Sequence, residues 1–435
     1  MPEERTVATS APTRPPGGSP ARPGRASLGR GLLPLLGPAF VAAIAYVDPG
    51  NVAANITSGA RYGYLLVWVL VLANAMAVLV QYQSARLGIV TGRSLPELLG
   101  QRLPRGRRIA FWLQAEIVAA ATDVAEVIGG AIALHLLFGL PLVVGGVIVG
   151  VVSLGLLTIQ GRGQRRFEAA VVALLAVITI GFVTALFVSP PDAGGVLGGL
   201  VPRFAGTDSV LVAASMLGAT VMPHAIYLHS ALARDRHAPD PAATGPDASA
   251  SDHRRTRRLL GATRWDVVGA LVLAGAVNVA LLLVAAANLQ GADGTDTIEG
   301  AHSAIVDALG PGVGVVFAIG LLASGLASTS VGAYAGAVIM GGLLHVRFPL
   351  AARRVVTLVP ALVLLAGGVE PTWALVLSQV VLSFGIAFAL VPLLWLTGRP
   401  DVMGEFADGR WMRLGGWTCA VLIVGLNVTL LVLGT

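Results

Sequence analysis

Long apolar stretches separated by short polar ones run along almost the whole chain. They lie near residues 33–58, 64–90, 108–137, 141–160, 167–189, 209–233, 265–289, 311–342, 354–369, 371–397 and 413–433. A helix needs about 20 mostly apolar residues to cross a bilayer, with every backbone N–H and C=O satisfied inside the segment. The pattern therefore predicts an all-α polytopic membrane protein of about eleven transmembrane helices. Residues 1–30, rich in Pro, Gly, Ser and Arg, read as a disordered leader. Residues 31–433 read as one transmembrane domain, and 235–258, rich in Asp, Pro, Ala and Arg, as a flexible cytoplasmic loop. The first apolar run lacks a cleavage-type end, which makes it a retained span rather than a secretory signal.

The basic residues give the threading. All of them are arginine, and they crowd into alternate loops: Arg5 to Arg30, Arg93 to Arg108, Arg162 to Arg166, Arg236 to Arg258, Arg347 to Arg354, then Arg399 and Arg410. The intervening loops offer only Arg61 and Arg203, with the acidic Asp293, Asp296, Glu299 and Asp307. Cytoplasmic loops are enriched in Lys and Arg, so the N-terminus is expected inside and the C-terminus outside.

Charged residues make up 12% of the chain, against roughly 25% in an average soluble domain, and a soluble fold is excluded. The net charge of +6 is spread between apolar segments without forming a continuous patch, so no nucleic-acid partner is expected. The single cysteine, Cys419, sits in the last apolar run. Neither a disulfide framework nor a thiolate metal site can be built within one chain.

Two spans carry interruptions that a lipid-facing helix should not contain. The first has Asp48-Pro49-Gly50-Asn51 at its middle, the sixth Met222-Pro223-His224. Proline removes a backbone donor and clashes with the preceding turn, so both spans should unwind there. Interrupted helices at corresponding places of two halves point to a carrier's midplane site in an inverted repeat. Residues of about 33–189 and 209–397 would be the two five-helix repeats, and about 413–433 an added helix.

A carboxylate at bilayer depth is costly and needs a cavity and a partner. Asp48 is that group; Asn51 adds an amide oxygen, and the unwound backbone frees carbonyls at Ala45 and Ala219. Carboxylate, amide oxygen and peptide carbonyl describe a cation site. The soft thioether of Met222 is a poor ligand for Mg²⁺ or Ca²⁺ but suits late divalent transition metals. His224 is a metal ligand by residue type, but neighbours two apart face different ways on a helix, so Met222 and His224 are not both expected to bind the ion, and a proton-handling or gating role is an equal candidate for His224. His229 is either a relay member or an interfacial residue.

The third span holds Glu116, Asp123 and Glu126. Asp123 and Glu126, three apart, share a helical face, which fits a proton path or an ion pair with Arg353 or Arg354. Glu116 lies nearer a membrane surface, where simple solvation is an alternative. Gln379 is a lone amide in an apolar run, either a ligand or interhelical glue; Asn74, Thr220 and Asn278 share the ambiguity. The small-residue stretch SGLASTSVGAYAG of the eighth span reads as packing only. No phosphate-cradling loop or nucleophile-and-base pair is visible, which leaves an ion gradient as the energy source, with H⁺ the best fit to the intramembrane acids. An enzyme is not expected.

On its two signatures, in the first and sixth spans, and on stretches such as ATDVAE, GATVMPHAIYLHSAL, LLASGLAS and FALVPLL, the sequence from about residue 33 onward resembles the natural resistance-associated macrophage protein (Nramp) family of proton-coupled divalent-metal transporters. It looks closest to bacterial manganese importers of that family. The resemblance implies a LeuT-like fold with discontinuous helices 1 and 6, in a bacterial inner membrane. It implies metal ligation by Asp48, Asn51, Met222 and the Ala219 carbonyl, with the Ala45 carbonyl and Gln379 joining in some states. It also implies a proton route from Asp48 through Glu126 and Asp123 to Arg353 or Arg354, with His224 in coupling and gating. Mn²⁺ and Fe²⁺ with H⁺ would be transported substrates, with no permanently bound cofactor and no obligatory protein partner. An amino-acid type symporter of the same fold is the nearest alternative, but Asp48 would repel a substrate carboxylate.

Overall fold

The structure, a computed structural model, describes residues 37–160, 173–237 and 248–434, apart from 178, 181, 182, 184, 185, 188, 292, 293, 295, 296, 347 and 348. Among the described residues all regular structure is helical. Seven of the described helices are long and apolar enough to cross a membrane: Val67–Thr91, Arg105–Phe138, the interrupted Thr207–His237, His253–Asn288, Pro311–Leu344, Pro371–Thr397 and Arg410–Val432. Two shorter apolar helices, Pro38–Val47 and Leu142–Leu156, fall at the first and fourth expected spans. The ninth span is Leu350–Ala366, a 17-residue helix with Pro360 inside it. The fifth lies partly outside the described residues, as does all of the leader.

The first interruption follows from its sequence. Helix α1 (Pro38–Ile44) tightens into a 3-10 turn over Ala45–Val47 and stops at Asp48, whose backbone is extended (φ −84°, ψ 170°). The residue before a proline is driven out of the helical region. Pro49 then opens α2 (Pro49–Tyr62), with the Asp48 side chain as its N-cap. After α3 (Val67–Thr91), a short α4 (Leu95–Arg102) starts at a Ser94/Glu97 capping box. The long α5 (Arg105–Phe138) and α6 (Leu142–Gln160) follow, then the short α7 (Ala193–Gly199).

The second interruption mirrors the first. Helix α8 (Thr207–Thr220) ends at Val221 (φ −106°, ψ 73°), and Pro223 opens α9 (Pro223–His237). Beyond it come α10 (Ala248–Asn288), α11 (Ile298–Leu309), α12 (Pro311–Leu344), α13 (Leu350–Ala366), α14 (Pro371–Thr397), the single turn α15 (Pro400–Met403) and α16 (Arg410–Gly434).

Part of the expected loop at 235–258 is helix instead. Helix α9 runs to His237 and α10 begins at Ala248, while 238–247 lie outside the described residues. Arginine has high helix propensity, and the Arg-rich stretch before the seventh apolar run extends that helix beyond the hydrocarbon.

Helix α5 packs chiefly on α12, α14 and α6, and α10 lies along α2 and α3. Helix α14 covers α8, and α9 packs on α3. The two interruptions thus meet at the centre, enclosed by α5, α12 and α14. Gly129 of α5 makes one close approach possible, since a Cβ there would fall 2.0 Å from Pro49 Cβ.

Candidate metal site

Asp48 is fully buried. Its Oδ1 accepts from the Asn51 backbone N at 2.7 Å and from Asn51 Nδ2 at 2.8 Å. The same Nδ2 donates to the Ala219 carbonyl at 3.0 Å, so a single amide bridges the two interrupted helices. Asp48 Oδ2 and Asn51 Oδ1 are buried and have no hydrogen-bond partner. Two oxygens at the break, one of a carboxyl group and one of an amide, are thus free.

Gln379 sits directly over this turn. A Cβ on Gly50 would lie 1.8 Å from Gln379 Nε2, so only glycine lets the amide approach. Gln379 Oε1 is likewise buried and unpartnered. Met222 is fully buried in the second interruption, immediately before Pro223. Ala45 is buried at the start of the 3-10 turn. The carbonyls of the next two residues are taken by neighbours: Tyr46 O accepts from Asn278 Nδ2 at 2.6 Å, and Val47 O from Ser324 Oγ at 2.6 Å.

Among the described residues no three His, Cys, Asp or Glu side chains gather as a metal cluster. The unpartnered oxygens at the break belong to one carboxyl group and two amides, those of Asp48, Asn51 and Gln379. Buried polar atoms without partners are costly, and four of them belong to residues in or packed against the two turns: Asp48 Oδ2, Asn51 Oδ1, Gln379 Oε1 and His224 Nε2. His224 Nδ1 lies 3.5 Å from Thr122 Oγ1 of α5, which keeps its other nitrogen free.

The three acids of α5 have distinct partners. Asp123 Oδ1 meets Arg354 Nη1 at 2.7 Å, and Arg354 Nε donates to Ser153 Oγ at 2.9 Å. Glu116 is not merely solvated; it takes a two-pronged pair from Arg353, at 3.0 and 3.1 Å. Arg353 comes close because Gly336 leaves room for its guanidinium. Glu126 Oε1 accepts from Ser328 Oγ at 2.5 Å, its Oε2 has no partner, and it lies within electrostatic reach of both Asp123 and Asp48. The stretch SGLASTSVGAYAG is therefore more than packing, because Ser324 and Ser328 hold the first break and Glu126.

His229 belongs to a buried polar chain rather than the membrane interface. Its Nδ1 lies 2.8 Å from Gln81 Oε1, Gln81 Nε2 donates to Tyr46 Oη at 2.5 Å, and Asn278 Oδ1 accepts from Asn55 Nδ2 at 3.0 Å. A second buried assembly joins Arg86 to Asp408 at 2.6 Å, with Gln83 and Thr397 on the other carboxylate oxygen. None of Tyr46, Gln81, Ser153, Arg86 or Asp408 stands out in the sequence. Hydroxyls and amides scattered through apolar helices have no spacing signature, and an Asp in a short loop looks solvated.

Two interrupted membrane helices meeting around one buried carboxylate are the architecture of a secondary carrier. The family model described as natural resistance-associated macrophage protein-like matches residues 39–433, and the chain belongs to that family. It is 63% identical over 401 residues to the divalent metal cation transporter MntH of Mycobacterium tuberculosis, covering 92% of this chain and 91% of that protein. The crystal structure of the Eremococcus coleocola manganese transporter matches with a TM-score of 0.81 at 32% identity, over 94% of this chain and 88% of that one. MhsT, at 14% identity and a TM-score of 0.57 over 91% of this chain and 98% of its own, shares the LeuT-like fold alone.

Proposed function

We propose that this chain imports divalent transition metals, chiefly Mn²⁺ with Fe²⁺ and related ions, by alternating access in symport with protons. The reading is supported most by the Asn51 amide that joins Asp48 to the Ala219 carbonyl, with free oxygens of Asp48, Asn51 and Gln379 around it. Asp48 would supply the charge, Asn51, Gln379 and the carbonyls of Ala45 and Ala219 neutral oxygens, and Met222 the discrimination against hard cations. With one charged ligand, binding would be reversible, as a carrier requires. The names of the relatives, a divalent metal cation transporter and a manganese transporter, favour the same substrate class.

The proton would pass from Asp48 to Glu126 and on to Asp123, with Arg354 as the partner that Asp123 exchanges as the protein changes shape. Glu116 and Arg353 would hold the neighbouring helices together, and His224 and His229 would serve coupling and gating from α9. The Arg-rich loops would face the cytoplasm of a bacterial cell, which sets the N-terminus inside and the C-terminus outside.

Proteoliposomes carrying the full chain, loaded with a metal-sensitive or pH-sensitive dye, test this. Mn²⁺ and Fe²⁺ should enter ahead of Mg²⁺, the lumen should acidify together with Mn²⁺ entry, and a lower external pH should speed uptake. Mn²⁺ entry without any proton movement would remove the symport, and absence of Mn²⁺ entry the metal assignment.

A further inference from the structure

Away from the metal site, a groove of about 460 Å³ opens between α3, α8 and α16. Its walls run from Trp68 to Met76 on α3, from Val210 to Leu217 on α8 and from Val421 to Thr429 on α16. Eight residues of helix rise about 12 Å, close to the ~15 Å depth of one leaflet's hydrocarbon. The groove is therefore long enough to take most of one leaflet's depth of acyl chain.

Its chemistry is that of a hydrocarbon site. The lining is apolar apart from the Thr429 hydroxyl, satisfied by the Gly425 carbonyl at 2.9 Å, and the Trp68 indole N–H, satisfied at the rim. Gly425 forms part of the wall, and a Cβ built there meets nothing within 4 Å, so the space extends outward from the helix backbone. Helix α16 is held on its other face by Asn427, which accepts from Ser383 Oγ at 2.7 Å and donates to the Ser383 carbonyl at 2.9 Å. It is the least buried of the seven long apolar helices. Val421 and Leu422 are 67% and 46% exposed, so the groove is open to whatever surrounds the helices, which in a membrane is acyl chain.

The rim supplies the polar half. Trp68 Nε1 donates to the Arg203 carbonyl at 3.3 Å, and the Trp68 ring meets Phe204 edge-on at 5.4 Å. Arg203 itself is exposed. An aromatic pair whose chain neighbour is an exposed arginine suits a lipid phosphate.

We propose that this groove is a binding site for a phospholipid, one acyl chain lying between α3, α8 and α16 and the phosphate meeting Arg203. The chain would fill the space beside α8 down to Leu217, two residues from the Ala219 that ends near the metal site.

A phosphatidylglycerol with a diazirine on one acyl chain tests the site in proteoliposomes of the full chain, with adducts mapped by mass spectrometry after irradiation. Adducts should concentrate on groove positions such as Leu72, Phe204 and Leu422, above lipid-facing positions elsewhere such as Val151. Gly425→Trp should fill the groove and lower groove labelling about tenfold, equivalent to ~1.4 kcal/mol. Val428→Trp, on the same helix but outside the wall, should leave it unchanged. Gly425→Leu gives the same reading with a smaller side chain, should the tryptophan variant fail to fold. Arg203→Gln should lower labelling as well. Uniform labelling of all lipid-facing helices, or groove adducts unaffected by either Gly425 variant, overturns the site; labelling unchanged in Arg203→Gln overturns the phosphate contact.

Discussion

Asp123→Asn is the most informative substitution, because it separates structure from proton handling. Asp123 and Arg354 meet at 2.7 Å with side chains 4% and 0% exposed. At an effective dielectric constant near 20, two unit charges at that separation attract by about 6 kcal/mol. Desolvating both ions costs several kcal/mol each, so the net worth of the pair is small. Removing one charge is different, because Arg354 would stay buried and charged with only neutral acceptors, the asparagine Oδ1 and Ser153. The expected loss is about 3–5 kcal/mol, measured as reversible unfolding in mixed micelles titrated with SDS. The double replacement Asp123→Leu with Arg354→Met removes both charges and should restore stability to within ~1 kcal/mol of the parent. Both variants should lose Mn²⁺-coupled H⁺ flux if Asp123 carries the proton. A single variant as stable as the parent, or a double variant no better than the single, would refute the buried-pair reasoning. Full H⁺ flux in the stable double variant would leave Asp123 purely structural.

Asp48→Ala should abolish Mn²⁺ uptake in liposomes while the protein still elutes as a folded species, because it removes the only charge among the proposed ligands. Met222→Ala should keep part of the Mn²⁺ uptake but let Ca²⁺ compete about tenfold better; unchanged competition would discard the thioether as selector. Gly129→Leu should cost at least the ~1–3 kcal/mol of core overpacking, since even a Cβ would fall 2.0 Å from Pro49 Cβ, and a variant with the parent's unfolding midpoint would contradict it. Glu116→Gln removes the charge and one of the two acceptor oxygens facing Arg353, but the group is 26% exposed and water can compensate, so its effect on stability should be smaller than that of Asp123→Asn in the same titration.

The fold was legible where the sequence breaks its own pattern. A carboxylate beside proline and glycine inside an apolar run, repeated as Met222-Pro223-His224 five spans later, has few physical outcomes other than an unwound turn. The arginine alternation gives an expected threading from charge alone. Illegible parts share one cause: their meaning lies in partners far away in sequence. Ser328 serves Glu126 across 202 positions, Ser324 serves Val47 across 277, and Arg86 finds Asp408 across 322. Serine in a small-residue stripe has the same local appearance whether it packs or donates. Glu116 was ambiguous for a related reason, because its depth in the helix says nothing about Arg353 arriving from α13. The short helices α4 and α11 carry too few apolar residues to register as spans, and their amphipathic pattern is brief.

Asn51 commits its amide hydrogens to oxygens that belong to the proposed ligand set, Asp48 Oδ1 and the Ala219 carbonyl. A cation held by the proposed ligands would take the free Asp48 Oδ2 and Asn51 Oδ1 first, and would meet that amide N–H as a rival at the other two oxygens. Wherever it displaced the N–H, the energy of the lost hydrogen bond would be subtracted from the grip on the cargo. Asn51 would then be a rivet between two half-helices, loosened as the cargo binds.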